Sequence, residues 1–192
     1  MLNILLLGPQ GAGKGTQAQR VSEAYGIPHI ATGDILRAAM AEGTELGLKV
    51  KPIYDSGHLV PDELMIGLIR GRLAEDDTDT GFILDGFPRT LAQAEALDQM
   101  LREIGKELTV VFVLQLPEPV AIARLTKRAE TEGRVDDTPD GIAKRLELYR
   151  RETEPLIEWY RVRSNVVTVH AERSVNEVFA EIQEALEQAA VV

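Results

Sequence analysis

The sequence contains no cysteine, which rules out disulfides and thiolate metal sites and fits a reducing, cytoplasmic setting. It has no surplus of positive charge either: 21 Lys and Arg stand against 31 Asp and Glu, a formal net charge of −10. Binding along a nucleic-acid backbone needs clustered cations, so no nucleic-acid partner is expected and any polyanionic ligand must be met by individually placed arginines. No segment is apolar for the ~18 residues that a membrane helix requires. The opening "MLNILLLG" is too short and lacks the basic leader of a signal peptide, so it reads as a buried strand. Histidine is scarce, and His29, His58 and His170 show no metal-ligand spacing; they read as surface or packing residues. There are no internal repeats and no low-complexity tract. What remains is a chain of 192 residues, 44% hydrophobic and 27% charged, long enough for one substantial core but not for a second large domain.

Within that chain, continuous apolar runs suited to strands buried on both faces occur at Leu2–Leu7, Gly81–Asp85, Val110–Leu116 and Asn165–His170, with a shorter candidate at 27–32. Helical patterns lie between them at Gly13–Tyr25, Leu91–Ile104, Pro119–Ala129, Gly141–Arg163 and Val175–Ala189, the last opened by Ser174 with Glu177 three residues on, a capping box. Trp159, Tyr149, Tyr160 and Phe179 fall on these patterns as core residues. Strand–helix alternation predicts an α/β fold: a parallel sheet, helices on both faces, right-handed crossovers and a ligand crevice at the carboxyl ends of the strands. Two segments break the rhythm. Residues 33–75 are helix-like but punctuated by Gly43, Gly47, Pro52, Gly57 and Pro61, which predicts a small helical lobe inserted after the second strand. Residues 129–141, "AETEGRVDDTPDG", predict an exposed polar loop.

The chemistry concentrates where strands end. In "GPQGAGKGTQ", residues 8–17, a GxxxxGK pattern joins a buried strand to a helix. Gly8, Gly11, Gly13 and Gly15 clear the space in which a backbone can curl round phosphates, the helix start supplies N–H groups, and Lys14 reaches the β and γ phosphates. The residue after the lysine is commonly a Ser or Thr that meets Mg²⁺; here it is Gly15, with Thr16 next. "LDGFPRT", residues 84–90, puts Asp85 at the end of an apolar strand, where it can organise Mg²⁺ or its water shell, or else cap the next turn. Arg89 follows at the same rim. Arg124 and Arg128 lie four apart on one helix face, Arg134 sits in the polar loop, and Arg145 starts the next long helix. Singly each arginine reads as a surface charge; together, fixed guanidinium forks can stabilise the negative charge of a transferring phosphoryl group.

These stretches closely resemble the adenylate kinase family along essentially the whole chain: "GPQGAGKGTQ" its P-loop, "ATGDILR" and "GHLVPDEL" the two ends of its AMP lobe, "LDGFPRTLAQA" its central signature and "GRVDD" its lid. The resemblance implies a single five-stranded P-loop kinase domain over 1–192, with an AMP-binding lobe at 31–61 and a short lid at 129–139. It implies that Gly11, Ala12, Gly13, Lys14, Gly15, Thr16 and Arg124 bind ATP. AMP would be held by Thr32, Arg37, Leu59, Val60, Gly86, Arg89, Gln93, Arg134 and Arg145, with Arg37 and Arg89 on its phosphate and Thr32 and Gln93 facing adenine. Lys14, Arg89, Arg128, Arg134 and Arg145 would be catalytic. Mg²⁺ would be held by ATP oxygens and waters, with Asp85 orienting that shell, so no hydroxyl after Lys14 is needed. Only "AETEG" separates Arg128 from Arg134, so the long lid insertion of many bacterial relatives, sometimes zinc-bound through cysteines, is absent and zinc is not expected. The implied partners are ATP, AMP and ADP, and the implied state is a cytoplasmic monomer.

Two other readings compete. A UMP/CMP kinase shares most of these motifs, but the pyrimidine kinases usually carry Asn where Gln93 stands and Ala where Thr32 stands. A P-loop switch or regulatory ATPase would use the arginines at an interface; Arg37 and Arg89 flanking an acceptor lobe argue against it.

Overall fold

A computed structural model of the chain describes residues 1–132 and 137–189. Five strands form one parallel sheet: β1 (Leu2–Leu7), β2 (His29–Ala31), β3 (Gly81–Asp85), β4 (Val110–Gln115) and β5 (Val166–His170), in the order β2-β3-β1-β4-β5. The first strand in sequence is thus the centre of the sheet, the arrangement that creates a switch point at its carboxyl end. Period-2 alternation along β1 sends Ile4 and Leu6 to one face and Leu5 and Leu7 to the other. The first pair joins Phe112 and Leu114 of β4 and the buried faces of α1 (Lys14–Tyr25), α6 (Glu118–Glu132) and α9 (Val175–Ala189), through Val21, Leu125 and Ile182. The second joins Phe82, Leu84 and Val111 to Ile69, Leu97 and Leu156 of α4 (Asp62–Leu73), α5 (Leu91–Glu103) and α8 (Leu156–Arg161). Each such fully buried Leu or Ile contributes roughly 1.5–3 kcal/mol, so both layers must be in place for the sheet to hold.

The capping box at the last helix is formed: Ser174 N donates to Glu177 Oε2 at 3.0 Å, and Glu177 N donates to Ser174 Oγ at 3.3 Å. Several expectations are corrected. The run at 165–170 is an edge strand, with Val166 and Val167 half-buried and Thr168 exposed, not one covered on both faces. The long helix expected at 141–163 is α7 (Pro139–Leu148), a π turn (Tyr149–Thr153) in which Glu154 N donates to Tyr149 O, and α8. Pro155, with no N–H to give, ends the regular ladder there. Arg145 therefore lies in the last turn of α7 rather than at a helix start. The polar segment at 129–141 is in part helical: α6 continues to Glu132, and Pro139 begins α7, which Thr138 caps by accepting from Gly141 N at 3.1 Å. Of the four aromatics, only Tyr160 is fully buried; Tyr149, Trp159 and Phe179 are half-buried.

The interruption at 33–75 resolves into α2 (Thr32–Glu42), α3 (Glu45–Asp55) and α4. The first two pack so closely that a side chain at Gly47 would lie 2.0 Å from Ala39 O. α4 instead packs on α5, with Met65, Ile69 and Leu73 buried in the main core. Among the described residues, no helix is long and apolar enough to cross a membrane.

Candidate active site

β1 ends against the P-loop, where close neighbours leave no room for a side chain at Gly8 or Gly11. Gly11 has φ +84°, a left-handed value, and a side chain on it would lie 3.0 Å from Ala121 O of α6. Lys14 opens α1 and turns back across the loop, Nζ donating to Gly8 O (2.8 Å) and Pro9 O (3.0 Å). Burial pulls its pKa down to about 8, against the opposing pull of Asp85 and with Arg89 and Arg128 adding to the fall. The ammonium is therefore poised: an incoming phosphate would supply the negative charge that its surroundings lack.

Asp85 closes β3, in register with Leu6 of the adjacent β1 on one side and with Ala31 of β2 on the other. A side chain at Gly15 would sit 3.6 Å from Asp85 Oδ2, so the position where P-loops commonly carry a hydroxyl already faces a carboxylate. Burial works to raise the pKa of Asp85, but the hydrogen bond from His29 and the charges of Lys14 and Arg89 outweigh it and keep the group below the ordinary carboxylate range. His29 Nε2 lies 3.4 Å from Asp85 Oδ2, so this histidine is not the incidental residue expected.

On the other side of Asp85, the chain makes a second compact constellation. Thr32 is buried at the start of α2 and its hydroxyl donates to Asp85 O (3.3 Å). Gly86 (φ +85°) is squeezed against it: an added Cβ would lie 2.6 Å from Thr32 Oγ1 and 3.2 Å from Arg89 Nη2. Arg89 Nε donates to Gly86 O (2.8 Å) and its backbone N–H donates to Gln93 Oε1 (2.8 Å). Arg37 reaches from α2 to Tyr54 OH (2.5 Å) and pairs with Asp34.

The third side comes from α6 and α7. Arg124 donates to Gly11 O and Glu172 O, both at 3.4 Å, tying α6 to the P-loop. Arg128 grips Asp137 with two bonds, Nε to Oδ2 at 2.7 Å and Nη2 to Oδ1 at 2.9 Å, and Arg145 Nη2 donates to the same Oδ1. The Asp137 side chain is 0% exposed. Burial alone would raise its pKa, but the two guanidinium groups hold it below the usual carboxylate range.

One cavity of ≈ 460 Å³ joins all three sides. Gly11, Gly13, Lys14, Gly15, Thr16 and Arg124 line it, as do Thr32, Arg37, Leu59, Val60, Gly86, Arg89, Gln93, Asp85, Arg128 and Arg145. Ala12, which the resemblance places on ATP, has a buried side chain and is not among the residues lining the cavity. Arg134 lies outside the described residues. Sequence reading missed Asp137 and Asp62 as individual residues, and also Tyr54, which lines the cavity; their partners are remote in the chain or hidden inside a recognised motif.

A parallel sheet with helices on both faces, and a glycine-rich loop and acidic strand end at the carboxyl edge of its central strands, define a P-loop nucleotide-binding protein. Residues 6–165 match the family model described as adenylate kinase. The adenylate kinase of Cyanothece sp. is 49% identical, over 98% of this chain and 96% of its own. That of Leifsonia xyli subsp. xyli is 50% identical over 98% and 95%, and that of Archaeoglobus fulgidus 44% identical over 97% and 99%. The chain belongs to the adenylate kinase family. The Archaeoglobus alignment runs over 214 positions against the 192 residues here, so that relative carries residues this chain lacks.

Asp85→Asn keeps the shape of the site but removes the charge that His29 and Lys14 hold in place. The resemblance assigns Asp85 to the water shell of Mg²⁺, and outer partners of a metal are typically worth 10–100-fold in its affinity. The expected result is a rise of about that size in the free Mg²⁺ needed for half-maximal turnover, read from rate against Mg²⁺ at saturating nucleotide. An unchanged requirement would leave Asp85 as a turn-capping residue only.

Proposed function

We propose that this chain catalyses the reversible transfer of the γ-phosphoryl group of MgATP to AMP, giving two ADP, with the residue roles that follow. The observation that carries the reading is the single cavity. A phosphate-cradling loop and a separate polar constellation at Thr32, Gly86, Arg89 and Gln93 open on to the same space, which Arg128 and Arg145 also line. A regulatory ATPase needs the first but has no use for the second.

The P-loop from Gly11 to Thr16 and Arg124 bind ATP, and Arg37 and Arg89 hold the AMP phosphate, one of whose oxygens forms a bond to the γ-phosphorus as the β–γ bridge breaks. Little covalent chemistry falls to the protein, so positioning and charge stabilisation carry the rate. Lys14, Arg128 and Arg145 present fixed donors towards the charge that spreads over the equatorial oxygens. Gln93 and Thr32 face adenine, and Leu59 and Val60 flank it. Arg134 completes the arginine set from the lid.

The donor set fits Mg²⁺ entering with ATP: an ionised carboxylate stands beside the loop, with no hydroxyl at residue 15 to replace a water. Bound with ATP, the ion would offset charge on the phosphate oxygens, and Asp85 would orient its water shell. The short lid rests on the five residues "AETEG" that alone separate Arg128 from Arg134. The protein acts as a cytoplasmic monomer without zinc, nucleic acid or membrane.

Turnover of ATP with AMP, CMP, UMP and GMP, measured side by side, tests this directly. AMP is expected to be preferred. Replacing Gln93 with Leu is expected to cost ~1–3 kcal/mol in kcat/KM for AMP, the worth of a two-point amide–base pair. Turnover that needs no nucleoside monophosphate, or prefers CMP, would defeat the assignment.

A further inference from the structure

Gln93 is only 2% exposed, yet it lines the cavity. A glutamine amide has two N–H donors and two acceptor lone pairs. Here one of each is spent on the protein. Oε1 accepts from Arg89 N at 2.8 Å, and Nε2 donates to Asp62 Oδ1 at 2.8 Å. The two partners also remove the usual ambiguity of an amide, which can be turned over with little change of shape: a backbone N–H must meet oxygen, and a carboxylate must meet the NH₂ group. One donor and one acceptor remain, in a defined sense.

Asp62 itself does not line that cavity. It opens α4, borders a separate shallow depression together with Thr90 and Pro61, and accepts a second bond on the same oxygen from Thr90 Oγ1 (3.0 Å). Thr90 in turn caps α5, accepting from Gln93 N at 3.3 Å. Asp62 therefore joins the start of one helix to the side chain and the cap of another, and the lever arm of the joint is the Gln93 amide.

We infer that Asp62 is a positioning residue for base selection: by holding the Gln93 amide in one orientation, it makes the site read 6-aminopurine and reject 6-oxopurine monophosphates. The inference rests on the reading of Gln93 as the adenine contact. Adenine presents a ring acceptor and an exocyclic N–H donor, which match the remaining N–H and lone pair of the amide. Hypoxanthine presents the reverse, a ring N–H and a carbonyl oxygen. A locked amide meets it with donor against donor and acceptor against acceptor, leaving buried polar groups unpaired, the kind of mismatch that gives strong discrimination. An amide released by Asp62 can turn to suit either base. Arg89 N opposes that turn but is then the only remaining anchor of the two described here.

The test compares kcat/KM for AMP and for IMP at saturating MgATP in the wild type, Asp62→Ala, Asp62→Asn and Gln93→Leu, with the thermal midpoint of each. Asp62→Ala is expected to lower the AMP-to-IMP ratio by about tenfold or more, through better use of IMP as well as poorer use of AMP. Asp62→Asn is expected to keep the ratio, because both bonds fall on Oδ1 and a neutral amide oxygen accepts them. If the alanine variant does not fold, Asp62→Ser, too short to reach Gln93 but suited to a helix start, takes its place. A purely structural role would change both substrates in step and leave the ratio unmoved. A ratio unchanged in Asp62→Ala or Asp62→Ser but collapsed in Gln93→Leu overturns the positioning role and spares the reading of Gln93. A ratio lost equally in Asp62→Asn overturns the orientation argument in favour of charge. A ratio unmoved in Gln93→Leu overturns both.

Discussion

Replacing Lys14 with methionine is expected to lower kcat by about 10²- to 10³-fold, the usual cost of removing one fixed donor from a developing oxyanion. Methionine fills nearly the same length but cannot bond Gly8 O or Pro9 O, and it presents no charge to the phosphates. The sheet and its two core layers do not use this side chain, so thermal unfolding is expected to change little. A pH signature separates the role from simple loop damage. With its pKa at about 8, Lys14 loses its proton as pH rises through that value, whereas phosphate beside it would raise the pKa and keep it charged. ATP binding is therefore expected to weaken above pH 8 and to take up a proton there, visible as a dependence of the calorimetric heat on the buffer's ionisation enthalpy. Both effects should vanish in Lys14→Met. A folded Lys14→Met enzyme with near-normal kcat would contradict the role assigned to the P-loop.

The second large effect is expected at Asp137. Its carboxylate, with no exposed side-chain surface, neutralises Arg128 and Arg145 together. Removing one member of a buried ion pair generally costs about 3–5 kcal/mol, because the remaining charge loses the partner that offset its desolvation. Asp137→Ala is expected to lower stability by an amount in that range and to lower kcat as well, since the two guanidinium groups lose the common anchor that holds them together at the cavity wall. The pH dependence follows from the direction of the shift. The folded-state pKa of Asp137 lies below its ordinary value, so its contribution is fully present above the unfolded-state pKa of about 3.9. That contribution disappears as pH falls through the folded-state value, and wild type and variant should converge in acid. Chemical denaturation at neutral pH and near pH 3 checks this; a stability difference equal at both values would show that the carboxylate's ionisation is not what stabilises the arginine pair.

The legible parts of this molecule share a property: their information lies within a few residues of one another. The run Leu2–Leu7 is apolar at every position but Asn3, so it must be covered on both faces, and Gly8 to Lys14 follow it directly; strand, turn and helix start are local consequences. The same holds for Ser174 and Glu177, three residues apart. The break of the long helix at Pro155 was legible in principle, since proline cannot continue the ladder, but the helical period on either side masked it. The half-exposure of β5 was not legible: an edge strand and a central strand can carry the same apolar run, and only the order of strands in the sheet decides which is covered.

By itself, then, the sequence determined that a phosphate-binding loop joins a buried strand to a helix, that an acidic strand end and a set of arginines accompany it, and that the strands alternate with helices in a parallel sheet. Its motifs also carried the family. The tertiary structure alone decided which groups meet: His29 with Asp85 across 56 residues, Gln93 with Asp62 across 31, and Arg124 with the P-loop across 113. The physical reason is range. Backbone preference and hydrophobic period act between near neighbours in the chain, whereas a hydrogen bond or ion pair needs two atoms within roughly 3.5 Å whatever their separation in sequence. That proximity is set only when the two core layers close on the sheet.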